Sequence, residues 1–273
     1  MIPLWPQDLD INPLPTMSIL ILNGGSRRLL GANMETVPNS VQERLNRLDW
    51  GEICQNLWRS GYSLTEPVLS GRECAELIHT FTDDSRFRSH INMARYRFGS
   101  GEYKYFAHPL PRIVSDLREH AYFPLASIAN EWNEALGGEV RFPAHHPELV
   151  KLCAAHGQMK PTPLLLHYEA GDYNCLHQDL YGEVAFPLQL TCFLSRKDND
   201  YTGGEFVLVE QQPRAQSKAE VIAPQQGQML IFTTRYRPVK GTRGFYRVNV
   251  RHGVSRVRSG VRFTLGVIFH DAA

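Results

Sequence analysis

Past residue 163 the chain falls into short runs of apolar residues, separated by glycine, proline, asparagine and aspartate. Runs at 164–168 and 174–177 flank a turn at Gly171-Asp172. Further runs follow at 188–194, 205–209, 219–222, 229–233, 246–252 and 262–269. Apolar runs of about four to eight residues, alternating or continuous and bounded by turn signals, mark strands. Eight of them in sequence predict a jelly roll. Ahead of residue 160 the period lengthens. Residues 41–50 carry apolar side chains at helical spacing. A short strand is expected at 61–64. Ser70 and Glu73 form a capping box that opens a helix through Cys74, Leu77, Ile78 and Phe81. Residues 86–105, basic and aromatic, predict two strands around Gly99-Ser100-Gly101. Residues 111–136 predict a helix interrupted near Pro124 and stopped by Gly137-Gly138.

The expected architecture is therefore α+β: a double-stranded β-helix (jelly roll) core at 161–273, with N-terminal helices packed against it. Residues 41–160 supply that helical support, and the two parts form a single domain. Residues 1–40, rich in Pro, Gly and Asn and without a period, read as a poorly ordered extension.

With 273 residues, 42% apolar and 21% charged, the composition is that of a soluble globular protein. The net charge of +1 conceals a bias. From Val221 to His270 there is no Asp or Glu, while nine Arg and Lys fall in the same span. That span predicts an anionic partner, or else a solvated basic face balanced by acids elsewhere. The five cysteines are scattered and include no Cys-x-x-Cys pair, which points to a cytoplasmic protein without structural zinc. No apolar run is long enough to span a membrane. Nothing in the pattern calls for an obligate protein partner.

Candidate chemistry gathers at His177-Gln178-Asp179. On an extended strand His177 and Asp179 project to the same side. His252 ends a later strand, and Arg262 follows about ten residues on, with Thr264 on its side of the next strand. Two imidazoles and a carboxylate make the facial triad that holds non-haem Fe(II) with positions left open, though Mn, Co, Ni or Zn would also suit the donors. A fixed guanidinium beside such a metal can receive the carboxylate of a 2-oxo acid. His145, His146, His156 and His167 stand in no ligand spacing and read as surface or packing residues.

These residues resemble those of the Fe(II)- and 2-oxoglutarate-dependent dioxygenases, in the prolyl-hydroxylase-like branch. The likeness rests on residues 166–179, which run from Leu166-His167-Tyr168 into His177-Gln178-Asp179. Gly203-Gly204-Glu205-Phe206, residues 227–232 and residues 248–254 extend it. The resemblance implies that His177, Asp179 and His252 bind Fe(II) and that Arg262 holds the distal carboxylate of 2-oxoglutarate. Tyr168 and Thr264 are further candidates beside that carboxylate, and O2 is the other co-substrate. Residues 176–182 and 251–255 more narrowly resemble a bacterial oxygenase family described as acting on damaged nucleic acid. AlkB-type oxidative dealkylation of alkylated DNA or RNA is the implied reaction. The AlkB pattern Arg-x-Asn-x-Thr-x-Arg is replaced here by Arg256-Val257-Arg258-Ser259-Gly260-Val261-Arg262. Two other readings stand beside it: a prolyl-type or small-molecule hydroxylase, and a non-catalytic metal-binding jelly roll.

Overall fold

A computed structural model describes residues 40–273. The expectation of a poorly ordered extension at 1–40 lies almost wholly outside them. The helix expected at 41–50 stops at Arg47, and a second one follows it at once. Helix α1 (Val41–Arg47) begins at Ser40, whose side chain accepts from the Glu43 N–H while Glu43 caps the Ser40 N–H in return. Leu48 turns extended, and α2 (Trp50–Ser60) restarts from the Asp49 cap and ends at Gly61 in the left-handed region. Helix α3 (Gly71–Thr80) carries the predicted Ser70–Glu73 box.

Helix α4 (Arg112–Ala135) runs unbroken through Pro124, contrary to the expected interruption. A proline inside a helix costs about 3 kcal/mol. The buried stripe Leu117, Ala121, Tyr122, Leu125, Ile128 and Trp132 continues on both sides of it, and that packing offsets the loss. Helix α5 (His146–Ala155) has no counterpart in the sequence pattern, because its apolar residues form no clear stripe and it starts on His146-Pro147.

The strands in chain order are β1 (Tyr62–Pro67), β2 (Phe87–Asn92), β3 (Gly99–Ser100), β4 (Glu102–Phe106), β5 (Leu164–Tyr168) and β6 (Tyr173–His177). Then come β7 (Leu188–Phe193), β8 (Tyr201–Gly203), β9 (Phe206–Gln211), β10 (Lys218–Ile222) and β11 (Gln228–Thr233). The last are β12 (Tyr236–Gly241), β13 (Gly244–Val254), β14 (Val257–Gly260) and β15 (Arg262–Ile268). The major sheet has the order β1-β11-β7-β15-β5-β4-β2, and the minor sheet β10-β9-β13-β6-β3 with β12 on β13. Strands β14 and β8 pair separately. All eight expected strands are present, and facing antiparallel sheets make a double-stranded β-helix with helices against it. The major sheet also takes β1, β2 and β4 from the region expected to be helical support.

The two-residue period sorts the major sheet into faces. Leu165, Leu190, Cys192, Met229, Ile231, Leu265 and Val267 pack with the buried stripe of α4 in one core. Their neighbours Phe193, Leu230 and Phe232 point the other way and meet Phe206, Leu208, Ile222 and Val250 of the minor sheet. Strand β15 lies in the middle, between β7 and β5. Its far end is tied to α4 by Arg118, which donates to the carbonyls of Ile268 and Phe269 and to the Asp271 carboxylate at 2.5 Å.

Candidate metal centre

His177 and His252 face each other in the register of β6 and β13. Their ring centroids are 4.2 Å apart. Gly253 permits the close approach: a Cβ there would stand 2.7 Å from the Asn174 carbonyl oxygen. Asp179 lies just beyond β6, with its Oδ2 3.1 Å from His252 Nε2 and its Oδ1 3.6 Å from His177 Nε2. One donor atom from each of the three lies within 4.8 Å of the others, and among the described residues they form the one such cluster. Donors about 2.1 Å from a shared metal and at right angles around it stand about 3 Å apart, so the set fits one divalent ion.

Each of the three side chains is held in a form that can coordinate. The Nδ1–H of His177 donates to the Cys175 carbonyl at 2.8 Å, which leaves Nε2 as the free lone pair. His252 stacks on Phe206 at an interplanar angle of 9° and meets the edge of Phe232. Burial and the His177 ring push its imidazolium down, so it is neutral at pH 7. Burial pushes the Asp179 carboxyl up, but the two imidazoles and the Gln189 amide outweigh that and hold it well below the usual carboxylate range. The Tyr181 hydroxyl donates to Oδ1 and the Gln189 amide to Oδ2, both at 2.9 Å.

Neither Tyr181 nor Gln189 was singled out from the sequence. Gln189 could have been: it is a polar residue in the apolar run Leu188-Gln189-Leu190, and it is buried. Tyr181 gave no such signal, because its reach to Asp179 depends on the path of the loop after β6.

All six candidate residues line one cavity between the sheets. Arg262 is 1% exposed, and its Nε and Nη1 have no hydrogen-bond partner. Its guanidinium lies over the rings of Tyr168, Phe193 and Tyr201 at 5.4, 5.6 and 5.9 Å. Gly204 makes room for it, since a Cβ there would meet Arg262 Cδ at 2.8 Å. Tyr168 pairs with Arg262 in the register of β5 and β15. Its hydroxyl accepts from the Asn174 amide at 3.3 Å, and burial pushes its pKa up to about 12. Thr264 is buried two residues along the same strand.

The other histidines behave as packing or surface residues. His146 is buried, with Nε2 2.9 Å from the Phe269 carbonyl, and His145 and His156 are exposed. His167 bonds Glu102 at 2.9 Å and stacks on Phe263. The nine basic residues from Arg235 to Arg262 do not form one surface. Arg262 is in the cavity and Arg237 is buried against Glu210, while the other seven are exposed.

Comparison with known proteins agrees with the geometry. The fold is similar to that of a Pseudomonas putida prolyl-4-hydroxylase, with a TM-score of 0.50 at 14% identity over 82% of this chain and all of that one. Two uncharacterized Mycobacterium tuberculosis proteins, from strains CDC 1551 and H37Rv, are each 43% identical over 219 residues, covering 79% of this chain and 91% of theirs. The match at residues 101–272, which spans the whole cavity, shows that the chain belongs to the family described as oxygenases catalysing oxidative methylation of damaged DNA.

Proposed function

We propose that the protein is an Fe(II)- and 2-oxoglutarate-dependent dioxygenase whose substrate is an N-methylated base in DNA or RNA. The carrying observation is Arg262. A guanidinium 1% exposed with two unpartnered nitrogens is costly to the fold unless an anion meets it. It lines the same cavity as the three donors, so one small molecule can touch both.

In this reading His177, Asp179 and His252 hold Fe(II). Held there, Fe(II) would let O2 act as the oxidant and 2-oxoglutarate as the co-reductant, so that one oxygen atom ends in succinate with loss of CO2 and the other in a new C–OH bond. Arg262 fixes the distal carboxylate of 2-oxoglutarate in a charge-assisted contact. Tyr168, protonated at neutral pH, would donate its O–H to the same carboxylate, and Thr264 lines the same cavity. Phe206, Phe232, Leu164 and Ile268 keep bulk water from the cavity. An N–CH3 hydroxylated at carbon breaks down to formaldehyde and the restored N–H. The family match to oxygenases of damaged DNA and the exposed basic residues support this substrate class.

Succinate and formaldehyde release from a methylated single-stranded oligonucleotide tests the reading. The parent chain releases both, and Asp179→Ala releases neither. Succinate release that Asp179→Ala retains would eliminate the centre. Release driven by a prolyl peptide but by no methylated oligonucleotide would move the substrate to protein.

A further inference from the structure

A chamber of about 200 Å3 adjoins the candidate metal centre, lined by Phe98, Tyr103, Tyr105, Leu180 and Tyr181 and by His177 and Asp179 themselves. These walls suit a flat ring system. Phe98 also stacks on Tyr96 at a centroid distance of 5.7 Å, and both rings are exposed. A separate groove of about 450 Å3 lies on the other side of the ligand strand, lined by Leu176, Gln178, Arg235, Asn249 and Arg251 among others. No carboxylate lines this groove. Both arginines are exposed, and neither has an ion-pair partner among the described residues. Gln178 is common to chamber and groove. Its amide donates to the Arg235 and Val250 carbonyls at 2.8 and 2.9 Å, so the divider between them is pinned.

We infer that this groove is the backbone subsite of a single-stranded nucleic acid. The phosphodiester next to the modified nucleotide lies on Arg235 and Arg251 while that nucleotide's base enters the chamber. The inference rests on the nucleic-acid reading above and goes beyond it in saying where the strand runs. A cationic groove one residue away from an aromatic chamber matches the two halves of a nucleotide, charged backbone and flat base. An acidic peptide would satisfy the arginines but would leave the aromatic walls without a counterpart. A single strand offers its base without the unpairing cost that a duplex imposes. The contacts are to phosphate and carry no base preference, so binding tolerates any flanking sequence.

The test is the salt dependence of binding of a fluorescent single-stranded oligonucleotide carrying one N-methylated base. Each phosphate contact contributes about 0.7 to the slope of log K against log salt for single strands. Arg235→Gln with Arg251→Gln is expected to lower the slope by about 1.4 and to weaken binding on the order of tenfold or more at low salt. Arg251→Lys, which keeps the charge, retains the slope. A melting temperature equal to the parent's shows that the fold of the double variant is intact. Parent-like affinity and slope in the double variant would overturn the subsite and leave the nucleic-acid reading standing. No salt-sensitive binding by the parent chain would sink that reading and the subsite together. Displacement of the oligonucleotide by polyglutamate at equal charge would assign the groove to an acidic peptide instead.

Discussion

Every residue of β7 is buried, whereas in β13 exposed and buried residues alternate from Arg247 to His252. The difference follows from what covers each sheet. Strand β7 has the α4 core on one side and the cavity on the other, so a polar residue there must find a partner inside. Strand β13 has water on one side, so Arg247, Asn249 and Arg251 cost the fold little. Polar residues are consequently diagnostic in β7 and β15. Gln189, Thr191, Arg262 and Thr264 are buried there, and all four line the cavity. On the minor sheet only the inward positions carry that information, and His177 and His252 hold them.

Substitution can break this contrast from either side. The largest effect is expected at Arg262. Arg262→Leu should weaken 2-oxoglutarate binding by about 2–5 kcal/mol, the usual cost of removing one partner of a buried charge pair. The same change should raise the stability of the ligand-free chain by about 1–4 kcal/mol, because an apolar side chain replaces a buried charge. Thermal melts with and without 2-oxoglutarate read both, and a ligand-free melt below the parent's would show that Arg262 serves the fold instead. An exposed arginine such as Arg247 should show neither effect.

Next in size is Gly253→Ala. The added Cβ meets the Asn174 carbonyl and forces β13 away from β6, for about 1–3 kcal/mol of lost stability. Weaker metal binding should accompany it, since the two imidazoles are carried on those strands. Urea unfolding together with metal titration checks the pair, and a stable variant that binds metal as the parent does would refute the role given to this crossing.

A third effect is set by pH and lies away from the cavity. Burial, with the Arg118 cation adding to it, pushes the His146 pKa down from 6.5 to about 3. Between those values the unfolded chain binds a proton that the folded chain does not, so stability is fully present above pH 6.5 and falls toward pH 3. The slope is about 1.4 kcal/mol per pH unit at most. His146→Gln should flatten this acid limb in unfolding measured from pH 7 to 4; an unaltered limb would assign the acid sensitivity elsewhere.

The smallest expected change is at Tyr181. Tyr181→Phe removes one hydrogen bond to Asp179 and should lower metal affinity about tenfold with little loss of stability. Isothermal titration with Fe(II) or Mn(II) is the check, and parent-like affinity would leave Tyr181 as a wall of the chamber only.

The sequence showed the strands and the His177, Asp179 and His252 cluster for the same reason. A two-residue period fixes which side chains share a face, and the strand register then sets His177 opposite His252. Arg262 was a candidate from its spacing after His252 and Tyr168 only from the family resemblance; the register of β5 and β15 is what sets them side by side. What escaped depends on loops and on tertiary support. Helix α5 has a weak apolar stripe and forms against α4. Strand β12 is hidden by its basic residues and is held by pairing with β13. Helix α4 passes Pro124 because both flanks are anchored, which no local rule reveals. The partners of Asp179 come from a loop and from a different strand.

The order of the strands in the major sheet bears on how the chain is made. Strand β15, the last of this sheet in chain order, lies between two strands that precede it by many residues. Until it arrives β5 and β7 have no common neighbour, and each offers a raw edge to other chains. Completion of this sheet therefore waits on contacts distant in sequence, and it is slow relative to helical proteins of the same length.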